Sequence, residues 1–260
     1  MPNNAVLFSA DAKSMYTNID TDIGISALQD FLLLNAFHIL ASFPIQPFLQ
    51  ILEIVMKNNI FAFQDSYWLQ LSGTAMGTPP ACAYATLTYG HYENTVILLT
   101  YNSNLLYYRS YIDDIFGIWI PSATDNLKTW ESFKKSLNNW GKLEWLIEEP
   151  SQVTNFLDLT LRISNSKIET KTFQKQMNQY LGLVRTPSCL KDLIIGETQR
   201  YWLQNSKPDF ETILLKDIQC IIERGHKLES LIPLFKQAVA AINAKALHTY
   251  RQKKTQMITH

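Results

Sequence analysis

Cysteine is scarce in this sequence of 260 residues, which has three cysteines far apart and without C-x-x-C spacing, at Cys82, Cys189 and Cys220. That pattern supports neither a disulfide framework nor a zinc ribbon, and a reducing compartment is its natural setting. Glycine and proline are also few, at 9 and 10 residues, whereas 47% of the chain is apolar. The composition excludes disordered, collagen-like and low-complexity proteins, and it is sufficient for one large or two small folded domains.

The sequence also lacks a segment suited to a lipid bilayer. Two long stretches have no charged residue, Phe31 to Leu52 and Ser66 to Tyr92. The first contains two prolines and a histidine and the second a loop of Gly, Pro and Thr, so neither offers the about 20 predominantly apolar residues of a membrane span. The first residues show no basic region followed by an apolar run, unlike a secretory signal. We therefore expect no membrane segment, and the location, nucleus or cytoplasm, stays open because the sequence has no clear address signal.

The net charge is zero, but the charges are unevenly placed. Seven acidic residues accompany three basic ones from Met1 to Ser110. By contrast, Leu161 to Lys207 holds eight basic and three acidic residues, and Pro233 to His260 holds five basic and no acidic ones. An acidic first half and a basic second half are typical of a protein that binds cations in one region and polyanions in another. A merely solvated basic face is the alternative.

Hydrophobic patterning predicts an α+β fold in which helices alone follow a mixed region. The predicted strands are Val6–Ala10, Ile60–Phe63, Tyr67–Leu71, Leu105–Tyr111, Ile115–Ile120, Leu143–Ile147, Asn155–Ile163 and Lys167–Phe173. The predicted helices are one capped by Asp20 with Ile23 on its apolar face, then Ile45–Lys57, Pro80–Leu99, Asp125–Asn139, Lys191–Gln204, Asp209–Arg224 and Leu228–Arg251.

Two adjacent acids interrupt the apolar segment Tyr111-Ile-Asp-Asp-Ile-Phe-Gly-Ile-Trp119. Their flanks place both carboxylates in or beside a core, where unpaired charges are costly. In one straight strand the two side chains would point to opposite faces, whereas a tight turn lets both project from the tip of a hairpin. A hard divalent cation is the simplest neutralising partner. A plain hairpin turn with solvated acids is the alternative.

A third acid, Asp11, follows the apolar run Val6-Leu-Phe-Ser-Ala10. A strand that ends on a carboxylate beside such a hairpin tip gives the geometry of a two-metal site, which suits phosphoryl transfer. The loop Gly73 to Pro80 has glycines and prolines that favour an open backbone able to approach a ligand closely. A metal-dependent phosphohydrolase is less well supported, because no histidine cluster or further pair of acids accompanies these residues.

These segments resemble the reverse transcriptases, and within them the enzymes of Penelope-like retroelements. Asp11-Ala-Lys-Ser-Met-Tyr-Thr-Asn-Ile19 is similar to the first catalytic motif of that family, Gly73-Thr-Ala-Met-Gly-Thr-Pro79 to the second and Tyr111-Ile-Asp-Asp-Ile-Phe116 to the third. Asn155-Phe-Leu-Asp-Leu159 resembles the strand at the primer grip, and Gly196-Glu197, Tyr201 and Arg224-Gly225-His226 resemble positions of the helical tail. Three motifs in the family's order, in a resemblance that covers nearly the whole chain, make it specific.

The resemblance implies a right-hand polymerase palm, an antiparallel sheet with helices on one face, followed by a helical thumb. Residues 1–175 would form the palm with residual fingers elements, and residues 176–260 the thumb-like region. The implied activity is RNA-directed DNA synthesis by a retrotransposon enzyme, a nucleotidyltransferase that joins deoxynucleoside triphosphates to a DNA primer on an RNA template. Asp11, Asp113 and Asp114 would be the catalytic residues and would hold two Mg²⁺ ions, with Mn²⁺ as a substitute.

The resemblance also implies contacts with the incoming nucleotide. Tyr16 would lie under its sugar and exclude a 2′-hydroxyl, Met76 and Gly77 would line the floor against base and template, and Lys142 would approach the leaving phosphate. Tyr16 could instead be an ordinary half-buried aromatic residue. Likewise, Phe156 to Leu159 is equally well explained as a core strand, and the lysines of Leu161 to Lys175 as a solvated edge.

One feature departs from the family pattern. Reverse transcriptases of this type have a substantial fingers segment before the first motif, whereas ten residues precede Asp11 here. The alternative function is therefore a truncated, non-catalytic relic of a retroelement enzyme that still binds nucleic acid.

Overall fold

The computed structural model describes residues 1–39, 41–121, 126–173 and 187–242. Its strands are β1 (Val6–Ala12), β2 (Ile60–Phe63), β3 (Ser66–Leu69), β4 (Leu105–Tyr111), β5 (Asp114–Trp119), β6 (Trp145–Ile147), β7 (Val153–Phe156), β8 (Leu159–Ser164) and β9 (Lys167–Thr172). Its helices are α1 (Met15–Asn18), α2 (Thr21–Leu34), α3 (Ile45–Lys57), α4 (Ala81–Tyr92), α5 (Leu98–Thr100), α6 (Asn126–Leu137), α7 (Pro187–Gln204), α8 (Lys207–Glu223) and α9 (228–242).

The chain forms two compact units, Met1–Phe156 and Leu157–His260. The first unit is built on an antiparallel sheet with the strand order β4-β5-β1-β6. In this sheet β1 is a central strand, since Asp11 lies opposite Asp114 of β5 and opposite Leu146 of β6. The predicted α+β class with an antiparallel sheet is confirmed.

The helices cover one face of this sheet. Phe8 of β1 makes edge-to-face ring contacts with Trp130 and Phe133 of α6, at 5.3 Å between centroids. Gly117 is the β5 residue opposite Phe8, and a Cβ atom there would lie 2.3 Å from the Phe8 ring. Because side chains alternate along a strand, Phe8 and Gly117 face the helices, whereas Asp11 and Asp114 belong to the opposite face.

Three expectations about elements in the first part of the chain need correction. β1 does not end before Asp11 but continues to Ala12, because β5 and β6 pair with it on both sides. The helix predicted over Pro80–Leu99 is interrupted by a π-helical turn at Glu93–Ile97. Ile23 is 41% exposed and lies off the buried face of α2, whereas Ala27 and Leu28, predicted on the same face, are buried together with Gly24.

A fourth correction concerns the strand predicted over Asn155–Ile163, which is divided into β7 and β8. Leu157 has a φ of 52°, a conformation that no continuous strand allows. Asp20 does cap α2 as expected, since its Oδ1 accepts hydrogen bonds from the backbone N–H groups of Asp22 and Ile23.

The second unit contains the hairpin of β8 and β9 and the helices α7 to α9. Leu190 and Ile194 of α7, Ile221 of α8, and Leu231 and Phe235 of α9 form its core. The strands β8 and β9 precede residue 175, the expected boundary between palm and thumb, yet they lie in this unit. The predicted helix over Leu228–Arg251 is observed to residue 242, and its remainder lies outside the described residues. In the part of the chain that the structure describes, no helix is long and apolar enough to cross a membrane.

Candidate active site

The segments that carry the three predicted acids adjoin at one end of the four-stranded sheet. Asp11 of β1 and Asp114 of β5 are direct cross-strand partners, and such partners have Cβ atoms about 4.5–5.5 Å apart. Asp113 lies in the turn between β4 and β5, where its carbonyl oxygen accepts a hydrogen bond of 2.7 Å from the backbone N–H of Ala12. The hairpin tip is thus fixed to the central strand beside Asp11.

The turn that carries Asp113 has an unusual backbone. Tyr111 pairs with Asp114, so Ile112 and Asp113 form a two-residue hairpin loop. Ile112 has a φ of 53°, which a β-branched residue adopts rarely, and Ser14, two residues after β1, has a φ of 47°. Such conformations cost on the order of 1–3 kcal/mol each and are concentrated at functional sites. Strained backbone therefore flanks the acids on both segments.

The carboxylates are accessible rather than deeply buried. Asp11 is exposed, and Asp113 and Asp114 are half-buried although β5 continues as a buried strand from Ile115. No group of three or more His, Cys, Asp or Glu side chains among the described residues is arranged to hold a metal ion. The structure thus brings the segments of all three acids together without a closed set of ligands.

The glycine-rich loop lies directly against the segment after Asp11. The backbone N–H of Thr74 donates a hydrogen bond of 2.5 Å to the carbonyl oxygen of Tyr16. Gly73 has a φ of 78°, and a Cβ atom there would lie 2.7 Å from the backbone of Thr17. Only glycine satisfies both conditions, so the first two predicted motifs form a single packed structure.

Tyr16 is half-buried in the one-turn helix α1 and lies beside the thiol of Cys82. Burial, Cys82 and the nearby charge of Asp113 raise the pKa of the Tyr16 phenol above its ordinary value. The phenol is therefore neutral at physiological pH and lies within electrostatic reach of the hairpin tip. Sequence reasoning missed Cys82, and its place at the start of α4, just after the glycine-rich loop, is the signal that could have found it.

The remaining predicted nucleotide contacts lie on the surface. Met76 is 74% exposed in the glycine-rich loop. Gly77 beside it has a φ of 90°, and a Cβ atom there would have no neighbouring atom within 4 Å. Lys142 is exposed in the turn before β6. Their proposed roles toward a nucleotide stay predictions.

The predicted phosphate-binding region in the second unit is partly neutralised within the protein. Arg162 pairs with Glu169 at 2.6 Å, and Lys171 lies 3.6 Å from Asp209. Arg200 pairs with Glu197 at 2.7 Å, and its guanidinium lies 3.4 Å from Asp158, within the segment compared with the primer grip. Lys175 and Arg185 lie outside the described residues. A role of this region in holding primer or template stays a prediction.

No protein-family model matches the sequence, and no curated protein matches it either. Solved structures do match. The RNA-dependent RNA polymerase of a human picobirnavirus has a TM-score of 0.57 at 12% sequence identity over 93% of this chain and 46% of that one. The RNA-dependent RNA polymerase of BmCPV at its elongation state has a TM-score of 0.52 at 14% identity over 76% of this chain and 19% of that one.

Telomerase from Candida albicans, in complex with a TWJ fragment of telomeric RNA, has a TM-score of 0.49 at 10% identity, covering 75% of this chain and 35% of that one. The chain thus spans less than half the length of each of these three solved proteins. The likeness to the two viral polymerases shows the fold, which is that of a template-directed nucleic-acid polymerase.

Proposed function

We propose that this chain is the reverse transcriptase domain of a Penelope-like retroelement, an RNA-directed DNA polymerase that extends a DNA primer on an RNA template. The observation that carries the proposal is the pairing of Asp11 with Asp114 beside the strained turn of Asp113. The polymerase fold and the family's order of the three motifs support it further. The preference for a reverse transcriptase over an RNA polymerase rests on the resemblance of the motifs.

The donor chemistry at the site suits Mg²⁺. Like charges directly opposite each other on neighbouring strands are unfavourable, and a hard divalent cation with oxygen ligands would neutralise them. In the proposed site Asp11, Asp113 and Asp114 would hold two Mg²⁺ ions, which Mn²⁺ could replace. Bound metal would stabilise charge on the attacking and leaving oxygens of nucleotidyl transfer.

The residues around the acids would bind and select the nucleotide. In this proposal the ring of Tyr16 supports the sugar and collides with a 2′-hydroxyl, Met76 and Gly77 face the base and template, and Lys142 approaches the leaving phosphate. The partners are the RNA template, the DNA primer and deoxynucleoside triphosphates. The packing of Gly73 and Thr74 on the backbone of Tyr16 and Thr17 supports a common role for the two segments.

Primer extension on an RNA template with the purified chain tests the proposal. We expect deoxynucleotide incorporation by the wild-type chain and its loss in Asp113→Asn, with weaker Mn²⁺ binding in a direct titration. Asp65→Asn is the control, because Asp65 lies in the turn between β2 and β3, outside the segments that carry the three acids. Equal extension and equal Mn²⁺ binding by the wild type and Asp113→Asn would refute the assignment of Asp113 to a metal site. Duplex binding with no extension by the wild type would favour the non-catalytic relic.

A further inference from the structure

A buried carboxylate lies beneath the sheet, on the face opposite the three acids. Glu93 is 4% exposed and begins the π-helical turn after α4. Single π-helical turns within α-helices are rare and are frequent at functional sites. Burial raises the pKa of its carboxyl above the ordinary value. A buried carboxylate needs hydrogen-bond donors, and the identity of those donors indicates the role of Glu93.

Both donors belong to β4, the strand that enters the hairpin. The hydroxyl of Tyr108 donates a hydrogen bond of 2.7 Å to Oε1 of Glu93, and the hydroxyl of Ser110 donates one of 2.7 Å to Oε2. Tyr108 and Ser110 alternate along the strand and lie opposite Gly117 and Ile115 of β5. They therefore lie on the same face of β4, on the side of the sheet that the helices cover, and Glu93 accepts from both the buried Tyr108 and the exposed Ser110.

The contact with Ser110 lies immediately before the strained turn of the hairpin. Ser110 pairs with Ile115, the neighbour of Asp114, and the turn with the positive φ of Ile112 lies between them. A strained turn persists only when the surrounding structure fixes it. On one side the turn is fixed by the bond from Ala12 N–H to the Asp113 carbonyl. On the other side, the hydrogen bonds of Tyr108 and Ser110 to Glu93 fix β4 from the helix-covered face of the sheet.

We propose that Glu93 is a positioning residue that sets the height and register of the Asp113–Asp114 hairpin relative to Asp11. This inference rests on the proposed function for its catalytic consequence, although the positioning itself is a property of the fold. Glu93 acts through β4 and not on the substrate, since the strand lies between its carboxylate and the face that carries the acids.

Three variants separate positioning from simple structural support. Glu93→Leu leaves the buried hydroxyl of Tyr108 without an acceptor, and we expect it to lower both the stability and kcat. The double variant Glu93→Leu/Tyr108→Phe removes both partners of the buried Tyr108–Glu93 hydrogen bond, a change that can be nearly neutral for stability. The hydroxyl of Ser110 also loses its acceptor, but Ser110 is exposed and water can replace it. We expect the double variant to regain the midpoint of denaturant unfolding while kcat stays at least about tenfold below wild type, with KM changed less than about twofold.

Glu93→Gln is the conservative variant. Its amide can accept from Tyr108 and donate to Ser110, so we expect it to keep most of kcat. Glu149→Leu is the control for the loss of a carboxylate, because Glu149, although exposed, also accepts from two donors, Trp130 and Lys134, which lie on α6 and not on the hairpin. We expect it to leave kcat unchanged.

Amide hydrogen exchange of Ala12 gives a readout that does not depend on activity, since this N–H donates to Asp113. We expect faster exchange at Ala12 in the Glu93→Leu/Tyr108→Phe variant and not in Glu149→Leu. Wild-type kcat in the stable double variant would overturn the inference, as would unchanged exchange at Ala12. If the wild-type chain extends no primer, the proposed function fails, and the exchange measurement still decides whether Glu93 positions the hairpin.

Discussion

Two glycines of one loop differ in a way that single substitutions can measure. Gly73 and Gly77 both have positive φ, but a Cβ atom at Gly73 meets the backbone of Thr17 while one at Gly77 meets nothing within 4 Å. We expect Gly73→Ala to cost about 2–4 kcal/mol of unfolding free energy, from the left-handed backbone and from overpacking. Gly77→Ala should cost about 1 kcal/mol, because only the backbone term applies. Equal losses of unfolding free energy in the two variants, measured by urea denaturation, would contradict the packing of the loop on α1.

The proposed sugar gate is also a single-residue prediction. In Tyr16→Val the ring that would collide with a 2′-hydroxyl is gone, so we expect the preference for deoxynucleotides over ribonucleotides to fall at least about tenfold, or about 1.4 kcal/mol. Tyr16→Phe keeps the ring and should keep the preference. The measurement is the ratio of kcat/KM for the two substrates in primer extension. An unchanged ratio in Tyr16→Val would refute the assignment.

The residue scale also shows the limits of sequence reasoning at the site. The apolar flanks of Asp113 and Asp114 were enough to predict the hairpin, because a turn signal between two β-rich runs is local. The cross-strand pairing of Asp11 with Asp114 joins residues far apart in the chain. The carboxylate at the end of an apolar run and the motif resemblance both suggested that the three acids are neighbours, but neither predicted this register. The contact of Glu93 with Tyr108 had no signal in spacing or composition.

At the scale of elements, the carboxylate of Asp217 on α8 makes the stability of the second unit depend on pH. Burial and the charge of Glu197 raise the pKa of Asp217 to about 6 from 3.8, although Tyr201, Arg224 and Arg200 oppose the shift. A raised carboxyl pKa means that the folded state binds the proton more tightly, so the stabilisation is complete below pH 3.8 and is lost as the pH rises through 6.

We therefore expect Asp217→Asn to be more stable than wild type at pH 7.5, by about 1–2 kcal/mol after allowance for solvent screening. The advantage should shrink as the pH falls below 6. Asp192→Asn on α7 is the control, since Asp192 is exposed. Chemical denaturation at several pH values measures the difference. A stability gain that does not vary with pH would contradict the role given to the charge of Asp217.

Elements were predicted best where their signals were local. The cap at Asp20 and the strands on either side of Asp113 follow from side chains within a few residues, and they are confirmed. The break at Leu157 and the π-helical turn at Glu93 were missed, because a positive φ at leucine and an extra residue in a helical turn depend on what the rest of the chain packs against.

At the scale of the whole molecule, the uneven charge predicts salt-sensitive binding of a primer–template duplex. Each phosphate contact that releases a counterion adds about −0.9 to the slope of log K against log salt concentration on B-form DNA. We expect Lys167→Ala, at the exposed first residue of β9, to reduce that slope by about 1. Lys57→Ala should leave it unchanged, because Asp22 and Glu53 already pair with Lys57. Filter binding over a range of KCl concentrations makes the comparison, and no binding at low salt would refute a basic binding surface.

The π-helical turn determines which residues of its helix face the core. Ala85, Tyr89, Glu93, Ile97 and Tyr101 are all buried and recur every four residues. In a straight α-helix of 3.6 residues per turn, each step of four residues rotates by roughly 40°, so this row would wind away from the core. The wider turn at Glu93–Ile97 takes up the excess and returns the row to the sheet. The chain thus behaves as if one residue had been inserted into a regular helix, so deleting Asn94 should restore a regular α-helix in which Ile97 and Tyr101 still face the core.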